Sequence, residues 1–156
     1  MLCELDGNVV LCDWDTDAGK LSPRQSIYAL PDGVVCSRAH HSGCSHIMVS
    51  PDGKNVYAAT RTDGKIASFT VGADGSLSTL GENVPCGGVC PRNFQFDTVS
   101  SPTRLRICNQ DSQNVTSYAI GEGGALSVAA KVMETAGVCP QVISVPIHPP
   151  TPGGAL

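Results

Sequence analysis

One unit recurs three times along this chain, and a unit of that length leaves few folds open. Its clearest part is an apolar alternating run followed by a glycine turn and a leucine. Val9-Val10-Leu11-Cys12-Asp13-Trp14 leads to Gly19-Lys20-Leu21, Ile66-Ala67-Ser68-Phe69-Thr70-Val71 to Gly75-Ser76-Leu77, and Val115-Thr116-Ser117-Tyr118-Ala119-Ile120 to Gly124-Ala125-Leu126. From Gly19 to Gly75 is 56 positions and from Gly75 to Gly124 is 49. Alternation with period two, closed by turn residues, is a strand signal, and spacings near fifty suit one blade of a β-propeller better than any helical repeat.

A second part precedes the first in each unit. Cys44-Ser45-His46-Ile47-Met48-Val49 runs through the turn Ser50-Pro51-Asp52-Gly53 into Val56-Tyr57-Ala58-Ala59-Thr60; its next copies begin at Cys90-Pro91-Arg92 and Cys139-Pro140-Gln141. A whole blade is therefore predicted as an inner strand near 46–49, a second near 55–60, a third near 65–71 and an outer strand near 77–84, with Pro and Gly at the turns. No stretch carries helical periodicity, so the fold class is all-β. Met1-Leu2-Cys3 falls at the end of a second strand and Pro146, Pro149, Pro150 and Pro152 interrupt the last unit. The expected organisation is a partial propeller over 1–145, about three blades' worth, followed by a proline-rich irregular tail at 146–156. Two whole blades and two partial ones do not close a ring.

Composition narrows the partners. Aromatic residues make up only 4% of the chain, so aliphatic side chains must fill the core. A net charge of −4 offers no basic footprint for nucleic acid or an anionic membrane, and no apolar run approaches a membrane span. Oligomeric state is left open. Glu4 and Asp6 stand where a signal peptide carries basic residues, so the chain is read as cytosolic. Its eight cysteines sit in or beside apolar strands and are expected to be mostly reduced and buried. Cys86 and Cys90 share a Gly-rich turn without a second Cys/His pair, which is weak evidence for zinc, so no metal site is expected. Asn114-Val115-Thr116 matches a glycosylation sequon but lies in a predicted strand, and His40-His41 falls in an irregular loop without an acidic partner.

Two repeat positions carry polar residues that the strand pattern does not require. Glu4, Arg61 and Gln110 each precede a third-strand run by five residues; His46, Arg92 and Gln141 each follow a cysteine by two at the start of an inner strand. In an antiparallel blade the start of strand one and the end of strand two share an edge. Both sets are thus expected on one face, around the central opening. Arginines there grip a phosphate or carboxylate through paired hydrogen bonds, and a carboxylate or imidazole can activate water at a polarised ester carbonyl.

Further motifs carry a resemblance. Cys3-Glu4-Leu5 with Val9, Gly19-Lys20-Leu21 and Leu30-Pro31, the segment Ile47 to Arg61 with Ser50-Pro51-Asp52-Gly53, Pro91-Arg92-Asn93-Phe94, and Asn109-Gln110-Asp111-Ser112 with Asn114-Val115 stand in the order and spacing of one family. The chain resembles the seven-bladed β-propeller lactonases, a family that includes 6-phosphogluconolactonase of the pentose phosphate pathway and carboxymuconate lactonizing enzyme, and specifically their C-terminal part. The resemblance implies hydrolysis of a small anionic lactone with no metal or organic cofactor. Glu4 and Arg61 would be catalytic; Arg92, Gln110 and His46 would bind substrate. His46 replaces a position that is often Asp or Glu in the family, and Thr60 replaces the usual Asn. The alternatives are a muconate-type cycloisomerase and a propeller scaffold without catalysis.

Overall fold

The computed structural model describes residues 1–36, 43–127 and 130–134. Within these residues the chain is β-sheet apart from one 3-10 turn, Glu122–Gly124. Strands β1 (Asn8–Asp15) and β2 (Lys20–Tyr28) form a two-stranded sheet. Strands β3 (Cys44–Val49), β4 (Asn55–Thr60) and β5 (Lys65–Val71) follow in order, and β6 (Leu77–Thr79) and β7 (Val84–Pro85) both pair with β5. Strands β8 (Pro91–Asp97), β9 (Arg104–Asn109), β10 (Asn114–Ala119) and β11 (Ala130–Glu134) make the third sheet. Every pairing is antiparallel, and all but that of β5 with β7 join sequence neighbours, which is the meander of a propeller blade. No helix among the described residues is long and apolar enough to cross a membrane.

The second blade matches its predicted strands closely. Its outer strand is split: Leu80 N–H still donates to Ser68 O at 2.8 Å, but the pairing resumes only at Val84 and stops at Pro85, which has no N–H to give. The first blade continues beyond β1, where Leu2 bridges Val9 and Val10 N–H donates to Met1 O at 2.8 Å. Met1 to Cys3 therefore ends a second strand, as the repeat predicts. Residues 146–156 and the inner strand predicted from Cys139 lie outside the described residues.

The core lies between the blades, which explains the sequence of β4. Val56 and Ala58 point to the first blade and pack with Val9, Ala29, Ala67, Phe69 and Leu77. Tyr57 and Ala59 point the other way, against Phe94, Phe96, Leu105, Ile107 and Tyr118 of the third. Alternate residues face opposite neighbours, so a strand covered on both sides reads as an unbroken apolar run. In β2, by contrast, only Gln25 and Ile27 are even half covered. Tyr57 also donates its hydroxyl to Gly124 O at 2.7 Å, and Asn55 Nδ2 donates to Gly123 O at 3.1 Å, tying the second blade to the third.

Candidate functional site

The register of the strands fixes which residues are equivalent. Leu2 pairs with Val9, Ala59 with Ile66 and Cys108 with Val115, so Glu4, Arg61 and Gln110 occupy one position in successive blades. That expectation holds. The inner-strand expectation does not. Arg61 N–H donates to Gly43 O at 2.7 Å and Gln110 N–H to Cys90 O at 2.9 Å, while Cys44 faces Thr60 and Pro91 faces Asn109. Cys90 thus corresponds to Gly43, not to Cys44, and both adopt left-handed φ, 61° and 87°. It follows that His46 corresponds to Asn93, and Arg92 to Ser45. The assumed equivalence of His46 and Arg92 is one residue out. Each inner strand has a bulge at this point, between Cys44 and His46 and between Pro91 and Asn93; both cysteines precede it, Cys44 directly and Cys90 one residue earlier, so counting from the cysteine misplaces the strand by one. A bulge re-aims the side chain it carries, so Ser45 and Arg92 leave the strand alternation. Gln141 and His40-His41 lie outside the described residues.

Glu4 and Arg61 come together. Their carboxylate and guanidinium form an ion pair across the first and second blades; the Arg61 side chain is only 8% exposed and that of Glu4 59%. Arg61 Nη2 also donates to Cys44 O at 3.0 Å, and Cys44 N–H donates to Glu4 O at 2.8 Å. A buried guanidinium is tolerated only when paired and hydrogen-bonded, and Glu4 with the Cys44 carbonyl meets that need. Its Nε is buried with no hydrogen-bond partner and remains a donor. The corner requires glycine at Gly43, where a Cβ would collide with the Glu4 carbonyl. Gly43 N–H is held by Thr62 Oγ1 at 3.0 Å, and the next turn by Thr60 Oγ1 donating to Asp63 Oδ1 at 2.5 Å. Gly43 and Asp63 carry no motif of their own in the sequence, and Cys44 enters the repeat only as the cysteine that opens an inner strand.

Arg92 is exposed at the bulge of β8. Its charge is felt at two neighbours. His46 is held below its ordinary pKa mainly by burial and further by Arg92, against a hydrogen bond to the Phe94 backbone. Burial raises the Cys90 thiol and Asp111 adds to the rise, while Arg61 and Arg92 pull it down. The His46 ring stands edge-on to Phe94, centroids 4.8 Å apart, with Asn93 Nδ2 3.4 Å from Nδ1. His46 is therefore turned into the seam between the second and third blades. Gln110 is half-buried at the same edge and anchored through its backbone.

Cys36, Cys44, Cys86 and Cys90 are buried and free, as expected, and Cys3 and Cys12 are free and half-buried. Cys108 departs from expectation: it is disulfide-bonded. Burial in an apolar strand fixes a cysteine's surroundings but not its oxidation state. Among the described residues no three His, Cys, Asp or Glu side chains are grouped to hold a metal ion.

Residues 1–140 match the family described as lactonase, 7-bladed beta-propeller. The chain belongs to this lactonase family. A 6-phosphogluconolactonase of Erwinia tasmaniensis is 32% identical over 94 residues, covering 60% of this chain and 26% of the relative. One from Bacillus subtilis is 32% identical over 97 residues, 62% of this chain and 27% of the relative. A protein of known crystal structure from Lactobacillus plantarum superposes with a TM-score of 0.77 at 28% identity, covering 88% of this chain and 39% of that one. The lactonase-family chain thus spans about a quarter of the length of these two curated relatives. The propeller fold is shown, with the Glu4–Arg61 corner at the blade edge where inner strands begin and second strands end.

Proposed function

We propose that this chain forms part of a lactonase site that hydrolyses a phosphorylated sugar lactone of the 6-phosphogluconolactone type. The single observation that carries the reading is the Arg61 guanidinium, held in place by Glu4 and the Cys44 carbonyl at the blade edge, in a chain of the lactonase family. Arg92, exposed on the neighbouring blade, grips the anionic group of the substrate. Arg61 directs its remaining N–H groups at the lactone carbonyl and stabilises the oxyanion that develops there. Glu4, exposed at its carboxylate, takes the proton from the attacking water and returns it to the leaving ring oxygen. Gln110 and His46 flank the site, the imidazole neutral and bound to the third blade. A cytoplasmic setting is part of this reading and rests on the six free cysteines; the bonded Cys108 stands against it.

The test is proton release from 6-phosphogluconolactone by the chain, measured in a pH-stat above the spontaneous rate. Arg92→Ala is expected to raise KM about tenfold or more at similar kcat, as loss of a charge-assisted contact requires, and Glu4→Gln to lower kcat. Turnover of carboxymuconate in place of the lactone would reassign the arginines to a cycloisomerase. No turnover of either compound would overturn the enzymatic reading.

A further inference from the structure

The corner that carries Glu4 is built on two free thiols. Cys36 and Cys44 are 8% and 1% exposed and pack in one small cluster with Leu30. Cys36 Sγ–H donates to Glu4 O at 3.4 Å, the same carbonyl that accepts Cys44 N–H at 2.8 Å. Thr62 Oγ1 donates to Cys36 Sγ at 3.9 Å, and Cys36, in the same cluster as Cys44, adds to the rise of the Cys44 thiol. Cys36 follows β2 of the first blade and Cys44 opens β3 of the second, so a bond between them joins the blades at the Glu4–Arg61 pair.

We propose that Cys36 and Cys44 are a redox-responsive pair that a small-molecule disulfide such as glutathione disulfide converts into an interblade staple. Cys36 acts first, being the more exposed of the two and the one whose sulfur accepts the Thr62 hydroxyl. Its thiolate attacks the small disulfide, forms a mixed disulfide and expels one thiolate. Cys44, deprotonated in turn, attacks the Cys36 sulfur and expels the second. Two protein S–H bonds become one S–S bond, the small disulfide is reduced to two thiols, and the two protons leave with them. Burial and the Cys36 contact hold the Cys44 thiol up at about 12, so the second step is the slow one.

The staple removes the Cys36 donor from the Glu4 carbonyl but fixes the backbone on either side of it. It does not depend on the lactonase reading, because every readout is structural. The native chain is incubated with oxidised glutathione, alkylated and cleaved with trypsin. Arg38 separates the two cysteines, so the staple appears as peptide 25–38 linked to peptide 39–54. The expected result is that linked species, a loss of two titratable thiols, and a Tm higher by about 5 °C or more, all reversed by dithiothreitol. Cys36→Ser should abolish the link and the Tm rise, and Cys44→Ala should stop the reaction at a glutathione adduct on Cys36. A persistent mixed disulfide in the unsubstituted chain, or an internal link with no change in Tm, would overturn the proposal.

Discussion

Replacing Gly43 by alanine tests the corner at its tightest point. The residue sits at φ 87° and its missing Cβ would overlap the Glu4 carbonyl oxygen. Left-handed backbone costs an alanine roughly 1–2 kcal/mol. Moving the carbonyl away weakens its bond from Cys44 N–H, 2.8 Å in the native corner, at a further cost of about 0.5–1.5 kcal/mol. Gly43→Ala should therefore lose about 2–3 kcal/mol, a large share of the 5–15 kcal/mol typical of a folded domain. For a chain of this size that is a fall in Tm of about 5–10 °C, with the urea midpoint lowered at unchanged slope. Cys90 provides the control, because it holds the equivalent left-handed position with a side chain. Cys90→Gly relieves backbone strain and loses a buried thiol, and the two nearly cancel. If Gly43→Ala is as stable as the unsubstituted chain within about 0.5 kcal/mol, or if the two variants behave alike, the close approach to Glu4 is not what demands glycine.

Three further outcomes are expected. Tyr57→Phe leaves the Gly124 carbonyl without its 2.7 Å donor and should cost about 1–3 kcal/mol in urea unfolding, whereas a neutral result would mean that the contact is not formed in solution. Because burial holds folded His46 below its ordinary 6.5, the unfolded chain takes up this proton first as pH falls; His46 therefore lowers stability increasingly below about pH 6.5, and His46→Gln should flatten that limb of a stability profile. An unchanged slope would place the histidine in water. Finally, denatured chain titrated without reductant should show fewer than its eight thiols, because Cys108 is bonded, and eight free thiols would refute the disulfide.

The sequence by itself determined the blade. Period-two alternation places each side chain on one face or the other, and prolines and glycines fix the turns, so β3 to β6 and the equivalence of Glu4, Arg61 and Gln110 are legible from spacing alone. Position along the inner strand was not, because the two cysteines that mark it stand one residue apart in the blade, Cys44 in the strand and Cys90 at the left-handed corner before it, and composition does not show the difference. That is why Arg92 corresponds to Ser45, and why His46, at the position of Asn93, turns to the next blade's Phe94. Only the tertiary structure decided that Arg61 is buried against Glu4, since the contact joins residues 57 positions apart through a backbone corner at Gly43. The same holds for the pairing of Cys36 with Cys44 and for the bonded state of Cys108. Each depends on which strand lies opposite in space, which a local pattern of apolar and polar residues does not encode.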